Sequence, residues 1–408
     1  MGGGVSGLWL ALRALRQGTP TRILSIGPFG GYASTKNQGW LHSGALYALN
    51  EAFELALACR RGTAEVQSLC RGAQPSLIAP HVKGAFVPEN AQQMEAVKIR
   101  LDAAGIPFSV RAMADVRDAD LLCSGNPDHD VLVTDDYAID TQLLIRRLIA
   151  EIRRSGGEIV TAGTVDRMRH QRGLWTIDLD CGSVSSETVV LALGAGLPAF
   201  LRNHLPSVAG PEYVVTRSRV LAIGCASFNT IVVPLAPGSP TVVPIWHAGE
   251  VKGITICIPY DNEVERCYEL SEGHPAMTEK TIDYCTDMLP GLRHQLQSKR
   301  PEMGMYTCQK LMLEGESGGQ ESARLHKVDT LTEGLYSLYS GKMSAAPVAA
   351  AACLSKLRSD GVILTADYPN VSDDDEYDEP TRISERPAIS IVDRREARKG
   401  LSKSARRE

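Results

Sequence analysis

The first residues of the chain have the types and spacing of a phosphate-binding turn. Residues 2–7 read Gly-Gly-Gly-Val-Ser-Gly, so Gly2, Gly4 and Gly7 occupy the glycine positions of the pattern GxGxxG. In such a motif Gly2 would make a tight turn, Gly4 would let the backbone approach a pyrophosphate, and Gly7 would allow close helix–sheet packing. The helix that follows would direct free backbone N–H groups and the positive end of its dipole toward the phosphates. The motif therefore predicts a dinucleotide site.

The elements around this motif are those of a βαβ unit whose first strand is absent. The apolar pattern of residues 5–15 predicts a helix, and residues 21–26 predict a strand. The strand expected before the glycines is missing, because the given chain starts at Met1; a start downstream of the native one would explain this. Gly27 stands where an acidic residue would hold a ribose hydroxyl. The same first residues also fit the N-myristoylation pattern, which explains fewer of them.

A second stretch with residues suited to chemistry follows at 33–47. It reads Ala-Ser-Thr-Lys-Asn-Gln-Gly-Trp-Leu-His-Ser-Gly-Ala-Leu-Tyr. It resembles the second flavin-contacting stretch of the D-amino-acid oxidase-like FAD superfamily, most closely in its L-2-hydroxyglutarate dehydrogenase and glycerol-3-phosphate dehydrogenase branches. The residues on matching positions are Lys36, Asn37, Gly39, His42, Ser43, Gly44 and Tyr47. The resemblance implies that FAD is the cofactor and that Thr35, Lys36, Asn37 and Gly39 contact it.

Two later segments resemble further flavin-binding parts of the same superfamily. Residues 158–196 read as strands that end in a Gly-Ala-Gly turn, with Val165 where the chain of the family passes the adenine. Residues 334–357 run through a glycine turn into an alanine-rich helix. In the family, the N-terminus of that helix points at the pyrimidine edge of the isoalloxazine and can stabilise negative charge there. The resemblance implies FAD contacts from Val165, Gly194, Gly196, Gly341, Lys342 and Met343.

The order of these segments implies an α/β protein with two domains. One is a Rossmann-like FAD-binding domain with its first strand missing, and the other is an inserted antiparallel β-sheet substrate domain. Residues 367–408 form an acidic and then basic stretch with little apolar content, which predicts a disordered charged tail. The predicted division is 1–85, 136–204 and 331–366 for the FAD-binding domain, with 86–135 and 205–330 for the substrate domain.

The resemblance implies an FAD-dependent dehydrogenase or oxidase that acts on a small 2-hydroxy acid or a related alcohol. Hydride would pass from the substrate to flavin N5, with His42 or His247 as the base. A histidine suits this role because its pKa lies near neutrality. For each histidine a purely structural role is the alternative interpretation. Replacing both with alanine is expected to abolish reduction of the flavin by substrate.

The residue expected to bind a substrate carboxylate is absent. Members of the family often carry a Gly-x-Arg-Pro stretch late in the substrate domain, whereas residues 303–307 read Met-Gly-Met-Tyr-Thr. In place of that arginine, the cationic side chains available to bind the carboxylate are Arg217, Arg219 and Lys310. An amine- or amino-acid-oxidising member of the superfamily and a catalytically degenerate interaction module are two further interpretations. An NAD(P)-linked dehydrogenase is less favoured, because the segments after residue 30 follow flavoprotein order.

Composition narrows the class of protein. The 408 residues carry a formal net charge of −5, which argues against nucleic-acid binding. The sequence shows neither a secretory leader nor an apolar run long enough for a transmembrane segment. Its ten cysteines lack metal-site spacing, so we expect reduced thiols, no metal site and a cytoplasmic location. The expected partners are a small-molecule substrate and an electron acceptor that the sequence does not identify.

Overall fold

A computed structural model describes most of the chain. The described residues are 1–72, 75–116, 118, 130–208, 213–224, 228–258, 263–265, 279–299, 301–313, 327–362 and 382–393. None of the helices in these ranges combines the length and apolarity needed to cross a membrane.

Helices and strands alternate along the first half of the chain, and strands dominate the second. The helices are α1 (Val5–Arg16), α2 (Ala33–Lys36), α3 (Ala45–Leu49), α4 (Phe53–Cys70), α5 (Ala91–Ala103), α6 (Thr141–Arg154), α7 (Leu197–His204), α8 (Glu279–Met288), α9 (Pro290–Lys299), α10 (Ala346–Ser359) and α11 (Pro387–Val392). The strands are β1 (Arg22–Ile26), β2 (Trp40–Leu41), β3 (Lys83–Val87), β4 (Phe108–Ala112), β5 (Asp130–Thr134), β6 (Tyr137–Ala138), β7 (Glu158–Ala162), β8 (Val165–Gln171), β9 (Leu174–Leu179), β10 (Gly182–Ser186), β11 (Val189–Leu191), β12 (Tyr213–Ile223), β13 (Thr230–Pro234), β14 (Thr241–His247), β15 (Glu250–Cys257), β16 (Glu263–Glu265), β17 (Met303–Leu313), β18 (Lys327–Thr332) and β19 (Leu335–Tyr339).

The first layer of the molecule, called here the nucleotide-binding layer, contains short parallel strands packed against α1, α6 and α10. Strand β1 pairs in parallel with β7, and β11 pairs in parallel with β19, whose other edge carries β18. Helix α1 is apolar on nearly all sides and lies between α6 and α10. Leu8 and Leu12 of α1 are fully buried in this packing. The all-apolar sequence of α1 is therefore explained by burial on several faces.

Residues 1 and 2 connect the two halves of this layer. Strands β1 and β11 are not paired with each other. The N–H of Gly2 donates to the oxygen of Leu24 (2.8 Å), and the oxygen of Met1 accepts from Ala192 N (2.7 Å). The amine of Met1 donates to the oxygen of Val190 (2.6 Å). The two residues thus lie where the expected first strand would run. The predicted fold class is confirmed.

The second layer is a sheet with nine strands in the part of the chain that the structure describes. Its order is β16-β12-β15-β14-β13-β3-β5-β4, with β17 along the length of β12. The pairs are antiparallel except β3 with β13, which is parallel, so the predicted antiparallel sheet is mixed at one position. Strands β4 and β5 lie at the two ends of residues 108–133, a stretch whose polar composition is typical of turns. The central residues of edge strand β4 are exposed, and an exposed strand lacks the apolar alternation that would reveal it.

The prediction of a disordered tail is wrong for residues 382–393, called here the C-terminal segment. Ile383 forms a parallel bridge with Phe29, and helix α11 packs on β12, β14, β15 and β17. Ala388, Ile391 and Val392 of α11 are buried against the large sheet. These apolar residues stand within a mostly charged stretch, so averaged composition conceals them. The rest of the predicted tail lies outside the described residues.

We predict that Gly62→Ala destabilises the fold. Helix α4 crosses the start of α10 at Gly62, where an added Cβ would overlap the carbonyl oxygen of Ser344. Alanine improves helix propensity by about 1 kcal/mol. Because the overlap is with backbone, overpacking should exceed that gain and leave a net loss of about 2 kcal/mol in urea unfolding. The control, Arg61→Ala on the exposed face of α4, should change stability by less than about 0.5 kcal/mol. Equal stability of the two variants would contradict the close approach.

Candidate functional site

A cavity of about 540 Å³ lies between the nucleotide-binding layer and the large sheet. This size is typical of cofactor and small-molecule sites. Predicted site residues that line it are Gly2, Gly4, Lys36, Asn37, His42, Gly194, Gly196, Gly341, Lys342 and Met343. Predicted site residues outside the lining are Gly7, Thr35, Gly39, Val165 and His247. Strands β12 and β17 also line the cavity, and of their lining residues the sequence predicted only Lys310.

The N-terminal glycines form a cradle at one end of the cavity. A side chain on Gly3 would overlap the hydroxyl of Ser25, so the backbone runs tightly against β1. A side chain on Gly7 would overlap the carbonyl of Gly2, which agrees with the packing role predicted for Gly7. The first turn of α1 contains no acidic residue. Its N-terminus is therefore suited to a phosphate group.

Three residues predicted to contact the cofactor have packing roles instead. Thr35 is fully buried, and its hydroxyl donates to the oxygen of Gly30 (2.8 Å). Val165 belongs to the apolar cluster beneath β8–β10. Gly39 makes room for the guanidinium of Arg386, which a Cβ would overlap. These residues shape the elements around the cavity without lining it.

Four contacts fix the position of His42, which lines the cavity. Its backbone N–H donates to the hydroxyl of Ser344 (2.9 Å), and its oxygen accepts from the hydroxyl of Thr63 (2.6 Å). Its Nε2 lies 3.2 Å from the hydroxyl of Tyr47. Its ring centroid lies 4.0 Å from that of Trp40. Residues 37–42, called here the site loop, thus present the imidazole in one orientation.

The environment of His42 favours its neutral form. Burial, followed by the positive charges of Lys342 and Lys310, holds the pKa of His42 well below the ordinary 6.5. Its Nδ1 is buried and has no hydrogen-bond partner among the described residues. Because Nε2 is engaged by Tyr47, Nδ1 is the nitrogen that a ligand could satisfy. A neutral imidazole in this position is able to accept a proton.

A buried carboxylate behind the site loop was not found from the sequence. Asp136 is fully buried and accepts hydrogen bonds from Trp40 Nε1 (2.7 Å), Ser43 N (2.9 Å) and Ser43 Oγ (2.6 Å). Burial raises its pKa, although these donors act in the opposite direction. Asp136 therefore fixes the residues on either side of His42. No local sequence pattern marks it, because the donors are about ninety residues away.

The cavity is positively charged. Its lining residues include Lys36, Lys310 and Lys342, and those that the structure describes include no aspartate or glutamate. Three side chains were predicted as alternatives for binding a substrate carboxylate. Of these, Lys310 lines the cavity, whereas Arg217 and Arg219 do not. The ammonium of Lys310 lies 3.4 Å from the hydroxyl of Ser218 on the neighbouring strand. This wall is suited to an anionic ligand.

The prediction that His247 faces the substrate is not supported by its position. His247 ends β14, and its Nδ1 lies 2.7 Å from a carboxylate oxygen of Asp140. Asp140 also caps α6 by accepting from the N–H groups of Gln142 (3.0 Å) and Leu143 (3.1 Å). Burial acts to raise the pKa of Asp140, but the His247 hydrogen bond and the nearby Arg386 charge bring it below its ordinary value. The pair stabilises a helix start outside the cavity.

Sequence comparison identifies a family with this arrangement. A family model described as FAD dependent oxidoreductase matches residues 1–325. The chain is 28% identical over 219 residues to a probable FAD-dependent oxidoreductase of Pseudomonas aeruginosa. That alignment covers 50% of this chain and 52% of the relative, so the chain spans about half the length of the curated relative that it matches.

Solved structures show the same fold at low sequence identity. Glycine oxidase from Geobacillus kaustophilus is similar with a TM-score of 0.66 and 12% identity, over 90% of this chain and 98% of the other. Iminodiacetate oxidase from Chelativorans sp. BNC1 has a TM-score of 0.63 and 15% identity, over 88% and 94%. L-α-glycerophosphate oxidase from Mycoplasma pneumoniae, with FAD bound, has a TM-score of 0.61 and 15% identity, over 88% and 93%. Amino-acid oxidases are prominent among these neighbours, and the predicted 2-hydroxyglutarate and glycerol-3-phosphate branches are not singled out.

The residues present fit FAD. The glycine cradle and the start of α1 are suited to the pyrophosphate, because backbone N–H groups and the helix dipole favour negative charge. Gly341, Lys342 and Met343, which precede α10, line the same cavity as His42, whose buried Nδ1 has no hydrogen-bond partner among the described residues. Charge, shape and an unsatisfied polar atom thus agree with one elongated, anionic cofactor.

We predict that the imidazole of His42 remains neutral through the physiological pH range. Nitrogen-15 spectra of histidine-labelled protein, assigned with the variant His42→Gln, should show no protonation of His42 between pH 8 and pH 6. Because the folded pKa lies below the unfolded value, His42 should lower the free energy of unfolding progressively as pH falls below about 6.5. Unfolding of His42→Gln should lack that contribution. A titration of His42 centred near its ordinary pKa would contradict the assigned electrostatics.

Proposed function

Because the chain belongs to the family of FAD-dependent oxidoreductases, we propose that it oxidises a small 2-hydroxy acid or a related alcohol. Lys310 binds the carboxylate of the acid, and His42 takes the hydroxyl proton. The observation that carries this proposal is the pairing, in one cavity, of a neutral buried imidazole with lysines and no lining carboxylate among the described residues.

The charges of the cavity support an acidic substrate. Lys36, Lys310 and Lys342 place positive charge along the wall of a partly enclosed space, which favours a ligand of negative charge. FAD would place its two phosphates at the glycine cradle, whereas Lys310 lies on β17 of the large sheet. A substrate carboxylate is the group of complementary charge for Lys310. This lysine takes the part that the Gly-x-Arg-Pro arginine has in other members of the family.

The state of His42 supports oxidation of a hydroxyl group. An alcohol must lose its O–H proton as its C–H hydride leaves, so a base in contact with the hydroxyl assists the reaction. His42 is neutral and oriented by Tyr47, Ser344 and Thr63, so little reorganisation is needed before it accepts a proton. Protonated His42 would be repelled by the positive charges of Lys342 and Lys310, so it would release the proton readily. When bound, FAD supplies the hydride acceptor at N5.

An amino-acid substrate is the second candidate function. It is favoured by the similarity of fold to glycine oxidase and iminodiacetate oxidase. A 2-amino acid has the same carboxylate and would use Lys310 in the same way. The two substrates differ in the group that loses a proton. Oxidation of a hydroxyl group requires a stronger base than oxidation of a neutral amine. Its cationic form would be repelled by the lysines, so the cavity favours the hydroxy acid.

We predict that 2-hydroxy acids reduce the bound flavin and that His42 accelerates the step. FAD-loaded protein is mixed without oxygen with matched 2-hydroxy and 2-amino acids, and the loss of flavin absorbance is recorded. His42→Gln should slow reduction by about 10²- to 10⁴-fold at saturating substrate. His247→Gln should react at the rate of the parent protein, because His247 lies outside the cavity. Reduction by 2-amino acids alone, unaffected by His42→Gln, would reject the hydroxy-acid assignment in favour of the second candidate.

We predict that Lys310 determines affinity for the carboxylate. Loss of a charge-assisted hydrogen bond costs about 1.5–3 kcal/mol, so Lys310→Met should raise KM about 10- to 100-fold. Lys310→Arg should retain most of the affinity, because the positive charge is kept. The control Arg219→Met should leave KM unchanged, since Arg219 does not line the cavity. A larger effect of Arg219→Met than of Lys310→Met would place the carboxylate elsewhere.

A further inference from the structure

We infer that Arg386 is a positioning residue of the flavin site: its guanidinium holds the site loop at a fixed place relative to the end of β14. The inference concerns the shape of the cofactor pocket, so it applies whichever substrate is oxidised. Arg386 belongs to the C-terminal segment, which composition alone assigns to a disordered tail.

The guanidinium of Arg386 joins both layers of the molecule. The side chain is 1% exposed. Its Nη2 donates to the oxygen of Gln38 in the site loop (3.1 Å). Its Nη1 donates to the oxygen of Trp246 on β14 (2.8 Å) and to the oxygen of Ile139 before α6 (3.3 Å). One side chain thus ties together the site loop, the start of a nucleotide-layer helix and a strand of the large sheet.

Burial of this charge requires compensation. Taking an ion out of water costs several kcal/mol unless polar groups replace the water. Here the three carbonyl oxygens that accept from Nη1 and Nη2 and the nearby charge of Asp140 provide compensation, while Nε has no hydrogen-bond partner among the described residues. A planar guanidinium can donate in several directions at once, whereas the ammonium of a lysine is a point charge on a flexible stem. The geometry is therefore specific to arginine.

Gly39 shows that the site loop is shaped around this arginine. Gly39 has φ +75°, in the left-handed region, and an added Cβ would overlap Nη2 of Arg386. The N–H of Gly39 donates to the side-chain oxygen of Asn37 (2.7 Å), and its oxygen accepts from Ile139 N (2.9 Å). Asn37, in turn, lines the cavity. The glycine thus lets the guanidinium approach a loop that carries cavity residues.

The rest of the C-terminal segment anchors Arg386 on both sides. Phe29 N donates to the oxygen of Arg382 (2.9 Å), and Ser384 N donates to the oxygen of Phe29 (2.8 Å). On the large sheet, Ile391 of α11 packs over Gly304, where an added Cβ would come within 3.1 Å of it. These contacts fix the segment before and after Arg386. The arginine is therefore presented from a rigid support.

The segment also contributes directly to the cavity wall. Ser384 lines the cavity. Ala388 and Ile391 belong to the same apolar cluster as Val220 and Cys308, and these two residues also line the cavity. Removal of Arg386 would release the site loop on one side of the cavity while α11 still supports the other. We therefore expect the spacing between the two walls to become variable.

The test compares Arg386→Met and Arg386→Lys with Arg382→Met, all in the full chain. Arg382 is an exposed arginine in the same segment, and its backbone bridge is unaffected by the substitution, so it is the matched control. The readouts are hydrogen–deuterium exchange of the site loop without FAD, the dissociation constant of added FAD, and the visible circular dichroism of the bound flavin. None of them requires a substrate, so failure of the proposed oxidation would leave the test intact.

We expect Arg386→Met to raise exchange in the site loop about tenfold or more, to weaken FAD binding and to change the flavin dichroism. Arg386→Lys should recover only part of each effect, and Arg382→Met should match the parent protein. A lowered melting temperature for Arg386→Met, with site-loop exchange and dichroism equal to those of Arg382→Met, would overturn the inference. If Arg386→Met does not fold, Arg386→Lys decides, and parent-like exchange and dichroism in that variant would equally overturn it.

A double-mutant cycle with Gly39→Ala provides a second measurement. If Gly39 accommodates Arg386, the loss of FAD affinity from Gly39→Ala should be smaller in the Arg386→Met background than in the parent. Additive effects would mean that the two residues act independently, and would overturn the relation between them.

Discussion

The site loop depends on hydrogen bonds that reach it from both layers of the molecule. Tyr306 of β17 donates to the oxygen of Asn37 (3.3 Å), and Thr255 of β15 donates to the oxygen of Gln38 (3.3 Å). On the other side, Ile139 N donates to the oxygen of Gly39. A loop of six residues has few internal partners for its backbone, so its conformation is set by its neighbours. The orientation of the imidazole therefore depends on how the two layers pack.

The electrostatics of the cavity oppose those of the whole chain. The protein has a formal net charge of −5, yet its cavity presents lysines and no described lining carboxylate. Positive charge in a low-dielectric cleft concentrates the electric field there. The cavity therefore attracts anions, although the protein as a whole is acidic. The same field acts on neighbouring groups. Burial raises the pKa of the Cys308 thiol even though Lys310, Lys342 and Lys36 act to lower it, so this thiol remains protonated beside the site.

The parts of the fold that were predictable from sequence are those with local signals. The glycine motif, the position of His42 and the order of the flavin segments follow from residues close together in the chain. Residues that act over long separations were missed or misassigned. Asp136 reaches the site loop from about ninety residues away, and Arg386 reaches Gln38 across 348 positions. Gly39 matched the family pattern, but the contact that explains its conformation lies in a segment whose composition predicts disorder.

His247 lies outside the cavity lining for a related physical reason. Its position in the sequence agrees with that of a substrate-domain histidine, and β14 is a strand of the large sheet. The strand ends beside α6, however, where the capping carboxylate of Asp140 accepts from the imidazole. A strand pattern predicts which element carries a residue. It does not predict which neighbouring element lies at the end of that strand.

The docking of the C-terminal segment has a consequence for biosynthesis. Residues 382–393 leave the ribosome after every element on which they pack, from Phe29 in the nucleotide layer to β17 in the large sheet. Both layers can therefore form, and FAD can reach the glycine cradle, while the wall that carries Ser384 is still absent. Ser384 is therefore the last described residue of the cavity lining to be synthesised.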